Sequence, residues 1–266
     1  PALVPWIVAK IEKPEAVDDL DAILNETDVV MVARGDLGVE VDIVEVPVLQ
    51  KRIIAACNRA RVPVITATQM LESMIQNELP TRAEATDVAN AVLDGTDAVM
   101  LSGETAIGRH PARAVTTMSR ITREAAQVLV SRSELPLGLT TRTTATELTI
   151  AVTRAAIQAA ERLQARLLVL VTRSGITAAA VSELRSPVPI LALTDSARSA
   201  SLLTLTWGVL PLVTDISRQS PQDVIAFVEQ WNRDRSLLQS GDRLVMVGTT
   251  DWSQPGKDLM LVHALR

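Results

Sequence analysis

The chain has 266 residues, 47% hydrophobic and 21% charged, which excludes disorder and fibrous assembly and exceeds what one small domain needs. Its 26 Lys and Arg stand against 31 Asp and Glu, a formal charge of -5 that argues against a surface built to neutralise nucleic-acid phosphates, and one Phe, no Tyr and four Trp leave few platforms for stacking bases. The single cysteine, Cys57, rules out an internal disulfide, and runs such as Leu167 to Val171 are far too short to cross a bilayer, so a cytoplasmic protein without nucleic-acid or membrane partners is expected. The chain opens on Pro1 and is already apolar at Val4, without a signal-peptide pattern, as in a processed or truncated product.

In chain order, short β-branched runs at Trp6 to Lys10, Val29 to Ala33, Pro63 to Thr68 and Ala98 to Leu101 alternate with amphipathic or capped segments. The stretch Glu45 to Arg61 carries Val48, Leu49, Ile53, Ile54 and Cys57 at helical spacing. Thr81 and Glu84 read as a capping box opening a helix through Leu93, and a further helix runs from Pro111 to about Leu129. Four strand-helix units therefore occupy residues 1–130. Each strand ends in polar residues, as the active face of a (β/α) barrel is built. Residues 131–145 turn to Ser, Thr, Pro and Gly and read as a linker. Residues 146–266 alternate again, in a helix from Ala145 to Leu163, strands at Leu167 to Thr172, Ile190 to Thr194 and Val209 to Val213, and helices at Ile176 to Leu184, near Arg198 and over Pro221 to Arg235. A terminal hairpin of Arg243 to Val247 and Leu259 to His263 closes a second, mostly parallel α/β sheet.

Three clusters carry candidate chemistry. In Lys10-Ile11-Glu12, strand alternation puts the ammonium and the carboxylate on one side; a solvated strand end is the plainer alternative. In Ala33-Arg34-Gly35-Asp36-Leu37-Gly38, two glycines flank an acid at a strand end, open to close ligand approach or to an ordinary capped turn. Together these clusters offer two hard oxygen ligands and a cation, the sparse ligand set with which magnesium leaves room for substrate and water. The third cluster spans Ile65 to Met74 and Pro80 to Asn90. Cys57 falls on an apolar helix face and His110 at a helix start, while His263 sits in the last strand with no partner evident from sequence.

The runs VAKIEKPEAV, MVARGDLGVE, PVITATQMLESMI and PTRAEATDVANAVLDGTDAVMLSGETA, in order over Ile7 to Ala106, resemble the second half of the catalytic barrel of the pyruvate kinase family. LVTRSGIT, PILALT and GDRLVMVG resemble that family's C-terminal domain more loosely. The fold implied is a partial (β/α)8 barrel, its last four βα units, followed by an α/β regulatory domain. The resemblance implies that Lys10 neutralises the phosphoryl group and the developing enolate, and that Glu12 and Asp36 bind Mg2+ or Mn2+. It places the substrate carboxylate on the amides of Gly35 and Asp36, and Thr68 in proton delivery. Arg34, Ser102 and Glu104 would support from behind.

The same resemblance implies phosphoenolpyruvate and ADP as substrates, a homo-oligomer that in the family is a tetramer, and K+, whose ligands lie outside this chain. Thr172, Arg173, Ser174, Gly175, Ile176 and Thr177 match the segment that holds an effector phosphate in regulated relatives, suited to a sugar phosphate. The loop Gly248 to Gly256 resembles the effector loop. Four units do not close an eight-stranded barrel, so the chain alone is expected to be inactive. The alternative is a non-catalytic sugar-phosphate-binding or assembly module.

Overall fold

A computed structural model describes residues 5–131, 147–233, 235–249 and 258–265. The chain divides into two compact units, Pro1–Arg142 and Thr143–Arg266. The segment expected to be a linker, from 132 on, lies outside the described residues, as does most of the loop from Gly248 to Gly256.

In the first unit, β1 (Val8–Ile11), β2 (Val29–Ala33), β3 (Val64–Ala67) and β4 (Ala98–Val99) form one parallel sheet in the order β1-β2-β3-β4. Parallel crossovers are almost always right-handed, and with the strands in sequential order this puts the helices on one face, as in an arc of a (β/α) barrel rather than a doubly wound sheet. Helices α1 (Pro14–Asp18) and α2 (Leu20–Glu26) follow β1, while α3 (Arg34–Glu40) and α4 (Val46–Ala60) follow β2. Ile11, Val30, Val32 and Val64 face these helices and are buried against Val17, Leu24, Ile53, Ile54 and Cys57. On the opposite face the register aligns Lys10, Met31, Ile65 and Ala98, none of them fully buried. The strand alternation that gives β1 a packed side thus also turns Lys10 and Glu12 to the open side.

The expected capping box is present: Thr81 Oγ1 accepts from the Glu84 amide at 3.2 Å and Glu84 Oε2 accepts from the Thr81 amide at 2.7 Å, opening α5 (Arg82–Leu93). Helix α6 (Gly103–Ala106) leads into α7 (Pro111–Ser131), and α5 and α7 close over Met70, Leu71 and Met74. Strand β4 is shorter than the apolar run suggested. Met100 N still donates to Thr66 O at 3.0 Å, but the chain then turns towards Ser102, whose φ and ψ of -118° and -101° are not those of a strand.

The second unit holds α8 (Glu147–Arg162), β5 (Leu167–Val171), α9 (Ile176–Ser182), β6 (Ile190–Thr194), α10 (Ala197–Leu203), β7 (Val209–Val213), α11 (Pro221–Arg233), β8 (Arg243–Thr249) and β9 (Asp258–Ala264). Its sheet order is β7-β6-β5-β8-β9, parallel except for the β8–β9 hairpin. The strands β5, β6 and β8 are buried on both faces and read as continuous apolar runs. The order reverses between β5 and β8, and the segment after β5 therefore opens at a switch point, where open α/β sheets receive ligands.

Candidate active site

The carboxyl ends of β1, β2 and β3 bring Lys10, Glu12, Gly35, Asp36 and Thr68 together. Lys10 Nζ donates to Asp36 Oδ2 at 2.6 Å and forms an ion pair with Glu12 Oε2. Asp36 first, then Glu12, push the Lys10 ammonium up to about 12, and Lys10 in turn holds the Asp36 carboxyl below the usual carboxylate range. All three side chains remain open to solvent, with relative exposures of 48% for Lys10, 37% for Glu12 and 57% for Asp36. Two carboxylates share one lysine at an open strand end, and Glu12 Oε2, the oxygen paired with Lys10, is itself screened from water. The donor set fits a hard divalent ion that takes two protein carboxylates and completes its shell with substrate and water. Among the described residues no group of three or more His, Cys, Asp and Glu side chains is placed to hold a metal, so the pair is sparse.

Thr68 lies across the mouth of β2. Its hydroxyl accepts from the Gly35 amide at 2.7 Å and donates to Ala67 O at 2.7 Å. The hydroxyl thus occupies the amide on which the substrate carboxylate is expected. A side chain on Gly35 would begin 3.4 Å from that hydroxyl, in ordinary contact with it. Thr68 and the following Gln69 are both left-handed, with φ of 66° and 52°. For a β-branched residue this conformation costs on the order of 1–3 kcal/mol and persists only where surrounding groups enforce it.

Arg34 enforces it. The side chain is buried, and its guanidinium donates to Ala67 O, Thr68 O and Gln69 O at 3.3, 2.6 and 3.3 Å, and to Gln50 Oε1 and Asp87 Oδ2 at 3.3 and 2.6 Å. Glu104, also buried, braces the same region differently: Oε1 accepts from the Leu71 amide at 3.0 Å and Oε2 from the Ser102 amide at 2.7 Å. Ser102 Oγ is screened from solvent and has no hydrogen-bond partner.

Sequence reasoning missed Gln50 and Asp87. Gln50 sits on the buried stripe of α4 between Val46 and Ile53, and also donates to Asp94 Oδ2 at 2.9 Å. Asp87 precedes buried Val88 and lies one turn before buried Ala91 on α5. For Gln50, a polar residue in the apolar stripe of a helix is the signal that could have found it, because its buried groups need partners; Asp87, with its side chain 39% exposed, carries no such signal.

In the second unit the expected effector segment is a strand, a turn and a helix. Thr172 Oγ1 accepts from the Gly175 amide at 3.0 Å, Ser199 Oγ donates to Arg173 O at 2.8 Å, and Gly175 takes a φ of 85° before α9. Ser174 Oγ lies 3.5 Å from the Ile176 amide, Thr177 is within the first turn, and Arg173 Nε lies 4.0 Å from Asp195 Oδ2. The turn's hydroxyls and glycine stand together but bond mainly to their own backbone. His263 does have a partner, with Nε2 2.9 Å from Glu229 Oε1 on α11. Cys57 is fully buried, which pushes its thiol up to about 12 and makes it inert.

An arc of parallel strands ends in a lysine, two carboxylates and a glycine amide, and in the second unit a separate α/β sheet opens at a switch point; the class is that of a (β/α)-barrel chain with an added α/β domain. Family comparison makes this specific. Residues 5–115 match the pyruvate kinase barrel domain and residues 150–263 the pyruvate kinase alpha/beta domain, and the chain belongs to the pyruvate kinase family. It is 43% identical to pyruvate kinase 2 of Synechocystis over 98% of its own length and 43% of the relative's. It is 44% identical to pyruvate kinase of Mycobacterium tuberculosis over 97% of its length and 54% of the relative's. A crystal structure of a pyruvate kinase from Cryptosporidium parvum superposes with a TM-score of 0.83 and 37% identity, covering 98% of this chain and 52% of that one. The chain spans about half the length of the curated relatives it matches. No helix among the described residues is long and apolar enough to cross a membrane.

Proposed function

We propose that these residues serve the transfer of the phosphoryl group of phosphoenolpyruvate to ADP, giving pyruvate and ATP in glycolysis. The reading rests on one observation above the others: Lys10, Glu12 and Asp36 converge at the strand ends beside the Gly35 amide and the Thr68 hydroxyl. In the reaction the bond from phosphorus to the enol oxygen breaks, a bond from phosphorus to a terminal ADP oxygen forms, and the electron pair left on the enolate is used to take up a proton at the methylene carbon. Such a transfer is governed by positioning and by compensation of negative charge.

The Gly35 and Asp36 amides hold the substrate carboxylate, replacing the Thr68 hydroxyl that now caps Gly35. Lys10, charged throughout the neutral range, faces the phosphoryl and enolate oxygens. Thr68, released from Gly35, orients the proton donor towards the enolate carbon. Glu12 and Asp36 are the residues that would hold Mg2+ or Mn2+, and the ion, when bound, would supply further compensation of phosphoryl and enolate charge. Phosphoenolpyruvate and ADP are the substrates on this reading, K+ is bound by ligands outside this chain, and the location is cytoplasmic. The turn Thr172 to Thr177, at the switch point of the second sheet, is read as the seat of a sugar-phosphate effector, and a tetramer as the assembly.

Among the described residues the first sheet ends at β1 and β4, each with one edge unpaired. Turnover is therefore proposed for an assembly in which both edges are covered. The test is pyruvate formation from phosphoenolpyruvate and ADP with Mg2+, by the chain alone and by the chain mixed with the N-terminal half of the Mycobacterium tuberculosis relative. The expected result is activity in the mixture and none from the chain alone. A folded mixture without activity, still binding a sugar phosphate, would favour a non-catalytic module.

A further inference from the structure

The strained turn at Thr68 is held by a single cation. Arg34 reaches three successive carbonyls, those of Ala67, Thr68 and Gln69, from a position almost wholly closed to water. A buried guanidinium holds its place only if its charge is compensated. Among the contacts of Arg34, Gln50 is neutral, and the carboxylate is that of Asp87, 2.6 Å from Nη1. Asp87 stands on α5, its side chain 39% exposed, and it reaches the site through Arg34.

We propose that Asp87 is a positioning residue for Thr68: by fixing the Arg34 fork it keeps Thr68 and Gln69 in the left-handed turn that aims the Thr68 hydroxyl at the Gly35 amide and, in turnover, at the donor that protonates the enolate carbon. The chain of contacts is continuous. Asp87 orients Nη1, the planar guanidinium then presents Nε and Nη2 to the carbonyls, and the carbonyls fix the φ of Thr68. Without Asp87 the guanidinium rotates towards water or towards Gln50, Thr68 O loses its 2.6 Å donor, and the turn relaxes out of the left-handed region. The structural half of this claim stands on the contacts alone; the catalytic half rests on the phosphotransfer reading.

Two measurements separate the halves. Amide hydrogen exchange on the full chain compares wild type with Asp87→Ala and Asp87→Asn, and the unfolding midpoint and exchange in the second unit report that each variant is folded. Exchange across Thr68–Met74 is expected to rise about tenfold or more in Asp87→Ala and less in Asp87→Asn, with the second unit unchanged. Unchanged exchange in this segment in a folded variant would overturn the proposal. In the complemented assembly, Asp87→Ala should lower kcat about tenfold while KM for phosphoenolpyruvate and the Mn2+ affinity stay within about twofold. On a Thr68→Val background the same substitution should cost less than about threefold, because Asp87 acts through Thr68. Fully additive losses would contradict that route. If the wild-type assembly makes no pyruvate, the phosphotransfer reading fails by itself, and exchange still decides whether Asp87 fixes the turn.

Discussion

The two units end a central parallel strand in similar ways and spend their polar groups differently. After β5, Thr172 accepts from the Gly175 amide of its own turn and Ser199, on α10, donates to the Arg173 carbonyl, while the ion pair of Arg173 with Asp195 is a loose 4.0 Å. At the mouth of β1 and β2, Lys10, Glu12 and Asp36 have mainly one another as partners and stand half open to water, while the groups bonded to backbone, Arg34 and Glu104, lie buried beneath them. The contrast separates two jobs. Side chains that satisfy backbone groups build a turn, whereas charges paired only among themselves at an open end are poised to exchange partners with a charged ligand.

The largest effect that would sharpen this contrast belongs to Lys10. Lys10→Met should lower turnover of the assembled enzyme by about 100-fold or more, as expected for a charge used mainly in the transition state. It should also tighten Mn2+ binding measured without substrate, because the competing ammonium is gone. Equal losses in turnover and phosphoenolpyruvate affinity would make Lys10 a ground-state anchor instead.

Glu104 tests the buried layer. Glu104→Ala strands the buried amide of Leu71, at about 1–3 kcal/mol, and the half-buried amide of Ser102 at less, and should lower the denaturation midpoint of the first unit while leaving the second in place. A midpoint equal to wild type would show that water replaces the carboxylate and that the bracing is dispensable.

A smaller effect, visible in pH, comes from Glu84. Burial alone would push its carboxyl up, but hydrogen bonds from Ser73 and Thr81 together hold it below its ordinary value. A depressed folded value means that the stabilisation is present above the unfolded value of about 4.3 and is lost as pH falls through the folded one. Denaturation profiles between acid and neutral pH should therefore show a gap between wild type and Glu84→Gln that is open at neutrality and closes in acid. Parallel profiles would contradict the assignment.

Much of this architecture is legible in sequence because it follows from periodicity. The stripe on α4, the Thr81 and Glu84 capping box and the apolar runs of β5, β6 and β8 each signal their element locally. Lys10 and Glu12 share a side because a strand alternates, and Asp36 follows a strand that runs straight into a helix. The clamp beneath them is not legible in this way. Arg34, Gln50 and Asp87 come from three separate elements, and although Gln50 interrupts an apolar stripe, only the packing of α4 and α5 makes it and Asp87 partners of one guanidinium. The residue Thr68 is named by the resemblance, but its conformation is hidden, since a left-handed φ of 66° is the opposite of what a β-branched residue at the end of an apolar run suggests. The partner of His263 is out of reach as well, because Glu229 lies 34 residues away on α11.

On the proposed reading, Glu12 and Asp36 form a divalent-cation site at the mouth of the barrel arc. The most direct measurement is a titration of the full chain with Mn2+, followed by the loss of the free-ion paramagnetic signal, for wild type and for Asp36→Asn. The account predicts one site in the first unit, weakened about tenfold or more in Asp36→Asn with the unfolding midpoint unchanged, since that side chain faces water and supports no buried contact. Equal Mn2+ affinity in the two proteins would remove Asp36 from the site and contradict the account.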